Sequence, residues 1–191
     1  MGQDFNPLGD SYDRVAPTYA ARIADELLGK PLDRLLLTHL AGDTRGMGPI
    51  CDVGCGPGHV ASFLASAGAQ VIAADISAGM LREACVIAPA APRAAADMRQ
   101  LPFADQSLAG ICALYSVIHI LPNDRPRVFR EFHRVLRPRV VALVAFHIGD
   151  EVRHLDDWWG IPVAVDFRFL RTEVIAGEIR AVGFTIEDEI E

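Results

Sequence analysis

The chain has 191 residues, 51% hydrophobic and 23% charged, with a formal net charge of −7. That apolar content suffices for one soluble domain with a substantial core, and no stretch approaches the run of about 20 apolar residues that crosses a bilayer. The acidic balance, with no basic patch interleaved with aromatics, argues against nucleic acid as a partner.

The first residues, Met1-Gly2-Gln3-Asp4-Phe5-Asn6, have neither the basic region nor the apolar core of a signal peptide. Residues 1–10 are polar and are expected to form a flexible N-terminus, with a single domain over 11–191. Pro17 suits the first turn of a helix, and Ala20, Ile23 and Leu27 continue one apolar face. A second helix opens near Pro31, with Leu32, Leu35, Leu36 and Leu40 inward, before a glycine-rich loop from Gly42 to Pro49.

The most informative stretch follows: Ile50-Cys51-Asp52-Val53-Gly54-Cys55-Gly56-Pro57-Gly58-His59-Val60. An apolar run enters a glycine turn, a helical pattern carries Val60, Leu64 and Ala67 on one face, and Val71-Ile72-Ala73-Ala74 ends in Asp75. Strand, glycine turn, helix, strand and acid is the layout of a site that wraps a nucleoside. Glycines let the backbone approach a ligand closely, and Asp75 stands where a carboxylate accepts from two ribose hydroxyls. The dinucleotide pattern G-x-G-x-x-G is not met, because His59 occupies its third glycine position. Asp52, just before the turn, is unsuited to a pyrophosphate but suits an ammonium group, which points to S-adenosylmethionine as cofactor.

Strands are expected at 50–53, 70–74, 93–96, 108–114, 139–146 and 184–190, and helices near 58–67, 77–87, 123–136 and 172–182. Asn123 or Asp124 caps the third of these helices, and Val128, Phe132, Val135 and Leu136 form its buried face. The six arginines between Arg125 and Arg139 read as a solvated face. Alternation of this kind specifies an α/β fold, a doubly wound, mainly parallel sheet in three α/β/α layers. Ligands bind such sheets beyond the carboxyl ends of the strands, which puts Asp52 to Gly58, Asp75, Asp97-Met98 and Tyr115-Ser116 on one rim. Cys51, Cys55, Cys85 and Cys112 form no C-x-x-C pair, so they read as reduced thiols of a cytoplasmic protein, with no metal site.

Residues 50–60, Asp75 and the segment Asp97-Met98-Arg99-Gln100-Leu101-Pro102-Phe103 together resemble a class I S-adenosylmethionine-dependent methyltransferase of the small-molecule, type 11-like kind. The resemblance implies a Rossmann-like fold and a cofactor set of Asp52, Gly54, Cys55, Gly56 and Gly58 at the methionine end. It places Asp75 on the ribose, Ile76 beside the adenine, Asp97 and Met98 on the adenine edge, and Met80, Tyr115 and Ser116 nearby. It also implies that residues 11–42 fold over the cofactor as a helical lid bearing Tyr12 and Tyr19, and that residues 147–171 form an acceptor-side insertion. That insertion holds His154 and the pair Trp158-Trp159, and the two tryptophans suggest an apolar or aromatic acceptor, or a partner surface.

His119 and His147 follow the fourth and fifth strands at the cofactor rim and are the candidate catalytic bases. Two features depart from the family. Arg137-Pro138-Arg139-Val140 replaces a glycine-rich turn, and the sequence shows only the first of two final strands, so the last strand of the fold is apparently missing. The expected function is methyl transfer to a small-molecule acceptor by a monomer or homodimer. The alternative is a non-catalytic cofactor-binding or scaffold protein on the same fold. A nicotinamide oxidoreductase fits neither the glycine spacing nor Asp52.

Overall fold

The computed structural model describes residues 7–191. Five parallel strands form the central sheet: β1 (Ile50–Val53), β2 (Val71–Asp75), β3 (Arg93–Ala95), β4 (Leu108–Leu114) and β5 (Leu136–Ala145), in the order β3-β2-β1-β4-β5. β1, β2 and β4 are nearly continuous apolar runs, as strands covered on both faces must be. One face is covered by α2 (Pro31–Asp43), α3 (His59–Ser66) and α4 (Ala78–Ile87), through Leu37, Leu40, Leu64 and Ala84. The other is covered by α5 (Arg125–Val135) and α6 (Thr172–Ala181), through Phe129, Phe132 and Ile175. Strand order reverses between β1 and β4, the switch point where such sheets hold ligands.

The first helix, α1 (Pro7–Ile23), lies over this switch point. It begins at Pro7, so residues 7–10 are helical and not a mobile arm; the expectation for residues 1–6 lies outside the described residues. The Ser11 hydroxyl donates to the Pro7 carbonyl, and Leu8 packs with Val15 and Ala16. Pro17 is also misplaced by the sequence reading. It sits inside α1 on the exposed side, while buried Val15, Ala16 and Ala20 hold the helix down around it.

α1 is joined to α4 by one side chain: Asp13 Oδ1 accepts from the Ser77 hydroxyl (2.5 Å) and from the backbone N–H of Gly79 (2.7 Å). In α2 the inward residues are Leu37, Leu40 and Ala41, whereas Leu32 and Leu35 are exposed and Leu36 is half-buried. The apolar stripe is therefore rotated toward Leu37, because only that side of α2 meets the sheet.

The largest differences from expectation lie beyond residue 135. β5 starts at Leu136, directly after α5, and contains Pro138. A register shift between Leu108 and Gly110 and a positive φ of 65° at Arg139 absorb the irregularity. Proline is tolerated there because β5 is an edge strand, with no ladder partner on its outer side among the described residues. The 147–171 segment is no mere loop. It forms an antiparallel pair, β6 (Val152–Trp158) and β7 (Ile161–Arg168), whose Val163 and Val165 pack against Val15, Ala16 and Met80.

Residues 184–190 carry an alternating pattern but form no strand; the acidic Glu187, Asp188 and Glu189 remain exposed. The arginine-rich face is also only partly solvated. Arg125 is 6% exposed and grips Glu178 of α6 through two 2.8 Å hydrogen bonds. Among the described residues, no helix is long and apolar enough to cross a membrane.

Candidate functional site

A cavity of about 560 Å³ opens at the switch point. Its floor is the carboxyl-terminal rim of the sheet: Asp52 from β1, the turn Gly54–Pro57, Asp75 at the end of β2 and Ile76 after it, Asp97 and Met98 after β3, and Tyr115 and Ser116 after β4.

The glycine turn is shaped by positive φ at Gly54 (74°), Gly56 (53°) and Gly58 (89°). The three glycines do different work. A Cβ on Gly54 would lie 2.4 Å from Ser116 Cβ, so Gly54 lets β1 and the β4 rim close on each other. A Cβ on Gly58 would meet Ala84 Cβ at 2.9 Å, so Gly58 packs α3 on α4 and lies outside the cavity lining. At Gly56 a Cβ would meet nothing within 4 Å, and this position borders the cavity. The Cys55 thiol is buried, and burial pushes its pKa up, so its backbone matters here more than its sulfur.

Two carboxylates sit under the turn. Asp75 Oδ2 accepts from the Gly56 N–H and Oδ1 from the Ser77 N–H, both at 2.8 Å. Ser77 caps α4 by accepting from the Met80 N–H, which leaves Asp75 free to face the cavity. Burial raises the Asp75 pKa to about 6, and the backbone hydrogen bonds offset part of that rise. Asp52 is 2% exposed, and its pKa is pushed up to about 8, by burial first and by Asp75 second. Among the described residues its Oδ2 has no hydrogen-bond partner. A buried carboxyl oxygen left unsatisfied is costly, and a cationic ligand group would relieve that cost.

Asp97 also borders the cavity, but its two oxygens are gripped by Arg99, whose Nη2 lies 2.6 Å away and which also reaches Asp124. Burial works to raise the Asp97 pKa; the Arg99 hydrogen bonds and charge outweigh it and hold the group low. The Asp124 carboxylate is thus spent on Arg99 and makes no cap bond to α5.

Facing this rim is an aromatic wall. Tyr12 and Tyr19 of α1, Trp158 and Trp159 at the β6–β7 turn, and Phe167 of β7 all line the cavity. Tyr19 and Trp158 meet edge-on with ring centroids 5.3 Å apart, and Tyr12 and Trp158 at 5.7 Å. His119 belongs to this wall. Its Nδ1 lies 2.9 Å from the Asp166 carbonyl and its Nε2 2.8 Å from the Tyr12 hydroxyl. With Nδ1–H donating to the carbonyl, Nε2 accepts from Tyr12, so both ring nitrogens are engaged. Burial lowers the His119 pKa to about 4, which keeps the ring neutral at pH 7.

His147 lines the cavity beside Tyr115 and stacks on Phe169; burial, with Lys30 and Arg153 after it, lowers its pKa. Besides Gly58, two sequence candidates lie elsewhere. Met80 is buried against α1 and β7, and His154 is exposed and paired with Asp156 and Asp166 on the outer side of the hairpin.

The sequence reading missed the polar mouth of the cavity, formed by Glu26, Lys30, Asp33 and His59. Lys30 pairs with Glu26, lies 3.9 Å from Asp33, and sits 4.2 Å over the Tyr115 ring. The one available signal was that Lys30 is the only lysine in the chain.

Residues 50–139 match the family model described as a methyltransferase domain. The chain is 32% identical over 134 residues to the malonyl-[acyl-carrier protein] O-methyltransferase of Pseudescherichia vulneris, covering 69% of this chain and 53% of that protein. It spans about half the length of the curated relatives it matches. The DhpI–SAH complex superposes with a TM-score of 0.74 at 17% identity, covering 93% of this chain and 88% of that one. Burkholderia thailandensis 1,6-didemethyltoxoflavin-N1-methyltransferase, solved with its namesake ligand and S-adenosylhomocysteine, gives a TM-score of 0.65 at 16% identity over 98% of this chain and 84% of that one. At these identities the structural likenesses show a shared fold. Taken with the domain match and the glycine turn at the switch point, they show a methyltransferase domain over residues 50–139, in a fold shared with S-adenosylmethionine-dependent methyltransferases.

Proposed function

We propose that this protein transfers a methyl group from S-adenosylmethionine to a small, apolar or aromatic acceptor. The observation that carries the reading is that one cavity joins the Asp52–glycine turn–Asp75 rim to the aromatic wall of α1 and the β6–β7 hairpin. The residues fit the cofactor. Asp52 offers a buried oxygen that lacks a partner, and Gly56 leaves open space where the backbone meets a ligand.

When bound, S-adenosylmethionine supplies a sulfonium-activated methyl group, open to in-line displacement. Asp52, ionised against the amino group, holds the methionine end. Asp75 keeps one lone pair on each oxygen after accepting from Gly56 and Ser77, and these receive the ribose hydroxyls. Asp97 and the Met98 backbone border the adenine. Tyr19, Trp158 and Phe167 hold the acceptor and exclude water, which supplies proximity without covalent chemistry.

We assign His119 a positioning role, because both of its nitrogens are already spent on Tyr12 and Asp166. Of the two histidines expected as bases, His147 is the one left to take a proton from an acceptor that carries one.

Calorimetry tests the cofactor: S-adenosylhomocysteine binds and NAD does not. Turnover tests the rest, with a panel of phenols, heteroaromatic amines and malonyl thioesters, the last because a relative is named for that acceptor. Product from a ring-bearing member supports the reading. Tight S-adenosylhomocysteine binding with no transfer to any member favours a non-catalytic cofactor-binding protein.

A further inference from the structure

The turn that joins β6 to β7 breaks a local rule. Trp158 pairs with Ile161, so the loop is the two residues Trp159 and Gly160. Both have positive φ, 61° and 81°. That is the geometry of the tight hairpin turn whose first central position takes Asn, Asp or Gly, because a bulky side chain is strained in the left-handed region. Here that position holds tryptophan. The Asp157 carboxylate accepts from the Gly160 N–H at 2.9 Å and ties the turn in this form.

The strain is not offset by burial. Val163 and Val165 of the same hairpin are 7% and 0% exposed, whereas Trp159 is 38% exposed. Its indole instead borders the cavity. The ring centroid lies 5.2 Å from that of Trp158, inclined by 38°, and 6.1 Å from that of Tyr19. The Arg22 guanidinium, from the last turn of α1, sits over the ring at 4.7 Å, a cation–π contact that fixes it from a second element. Trp158 already meets Tyr12, Tyr19 and Phe167 edge-on, so Trp159 is the indole with ring surface to offer. A backbone conformation that costs energy, presenting a half-exposed ring beside a cavity, marks a group placed for a ligand.

We propose that Trp159 is a specificity-determining residue for the acceptor, selecting a planar aromatic ring over a saturated ring of the same outline by stacking on it. This rests on the reading of the aromatic wall as the acceptor's site. It gives a function to the strained turn and to the Arg22 contact.

The test is calorimetric and needs no turnover. The probe is 2-naphthol, compared with decahydro-2-naphthol, which has the same carbon skeleton and hydroxyl but no π face. Each is titrated into parent, Trp159→Asn and Trp159→Phe proteins saturated with S-adenosylhomocysteine. Asparagine is at home in this turn, so Trp159→Asn removes the ring and keeps the hairpin. Burial of apolar area does not favour the aromatic compound, whereas an aromatic pair of ordinary strength predicts that the parent prefers naphthol by roughly two- to tenfold. Trp159→Asn loses that preference, Trp159→Phe keeps part of it, and both bind S-adenosylhomocysteine as the parent does. A preference retained by Trp159→Asn overturns the assignment, and so does a parent that shows none; the cofactor reading survives both results. Equal losses of S-adenosylhomocysteine and naphthol binding in Trp159→Asn also overturn it, since they would mark Trp159 as structural. A parent protein that does not bind S-adenosylhomocysteine overturns the cofactor reading itself.

Discussion

The backbone N–H of Gly56 donates to Asp75 Oδ2 at 2.8 Å, so the acid at the end of β2 holds the shape of the glycine turn at the end of β1. Asp75 is therefore scaffold as well as the proposed ribose acceptor.

Replacing Asp75 with Ala removes the hydrogen bonds offered to a ribose and also strips acceptors from Gly56 and Ser77. S-adenosylhomocysteine affinity is expected to fall at least roughly tenfold, and stability by about 1–3 kcal/mol. Calorimetry and thermal melting read the two effects. Full affinity in a folded Asp75→Ala protein removes Asp75 from the ribose site.

Asp52 and Asp75 carry pKa values of about 8 and about 6, against 3.8 for the free side chain, with burial the main cause in both. The folded state therefore binds these protons more tightly than the unfolded chain. The stabilisation is complete below about pH 4 and is lost as pH rises through the two folded values. The ligand-free protein should melt at lower temperature at pH 8.5 than at pH 5, and Asp52→Asn should flatten that dependence. A cationic amino group on Asp52 reverses the local balance, so binding near pH 7 should release up to about one proton. Titrations in buffers of different ionisation enthalpy measure the release. Apparent enthalpies that do not vary with buffer would show that Asp52 does not ionise on binding.

Gly54 and Gly56 separate folding from binding. Gly54→Ala drives a Cβ to within 2.4 Å of Ser116 Cβ and should destabilise the protein strongly. Gly56→Val points into open space, so it should cost the fold only the strain of its φ of 53°, about 1 kcal/mol or slightly more, while abolishing cofactor binding. Melting and S-adenosylhomocysteine titration of the two variants should give opposite profiles. A folded Gly56→Val protein that still binds would exclude a nucleoside from this turn.

The Arg125–Glu178 pair ties α5 to α6 under the sheet. Glu178→Ala strands a guanidinium that is 6% exposed and should cost about 3 kcal/mol, or roughly 6–12 °C in melting temperature for a chain of this size. Cofactor affinity should not change, because neither residue borders the cavity. A melting temperature within about 2 °C of the parent would mean the pair is not buried in solution.

What the sequence makes legible follows from physics that is local or one-dimensional. β1, β2 and β4 are covered on both faces, so they read as nearly continuous apolar runs, and their ends fall within about a residue of expectation. The rim residues Asp52, Asp75, Asp97 and Tyr115 then follow from topology alone. The β6–β7 hairpin was illegible because its outer residues Arg153, His154, Asp156 and Asp157 give a segment as polar as a loop; its buried residues are Val163 and Val165, and their core is completed by Val15 and Ala16 of α1 and Met80 of α4. The tail shows the converse. Phe184 to Ile190 alternates as a strand does, but alternation is realised only where a neighbouring strand offers a ladder. Lys30 was invisible for a third reason. It is the single lysine of the chain, which by itself marks no site, and only the folded chain sets it above Tyr115.

The joint between α1 and α4 gives the covering helix a built-in clock. The Gly79 amide belongs to the first turn of α4, where helical N–H groups have no partner in their own helix, and it is satisfied instead by Asp13 across the interface. It can exchange with solvent deuterium when α1 lifts away, without α4 unwinding. The exchange rate at this one amide, compared with that of amides in the middle of α4, therefore times how often the chamber is uncovered.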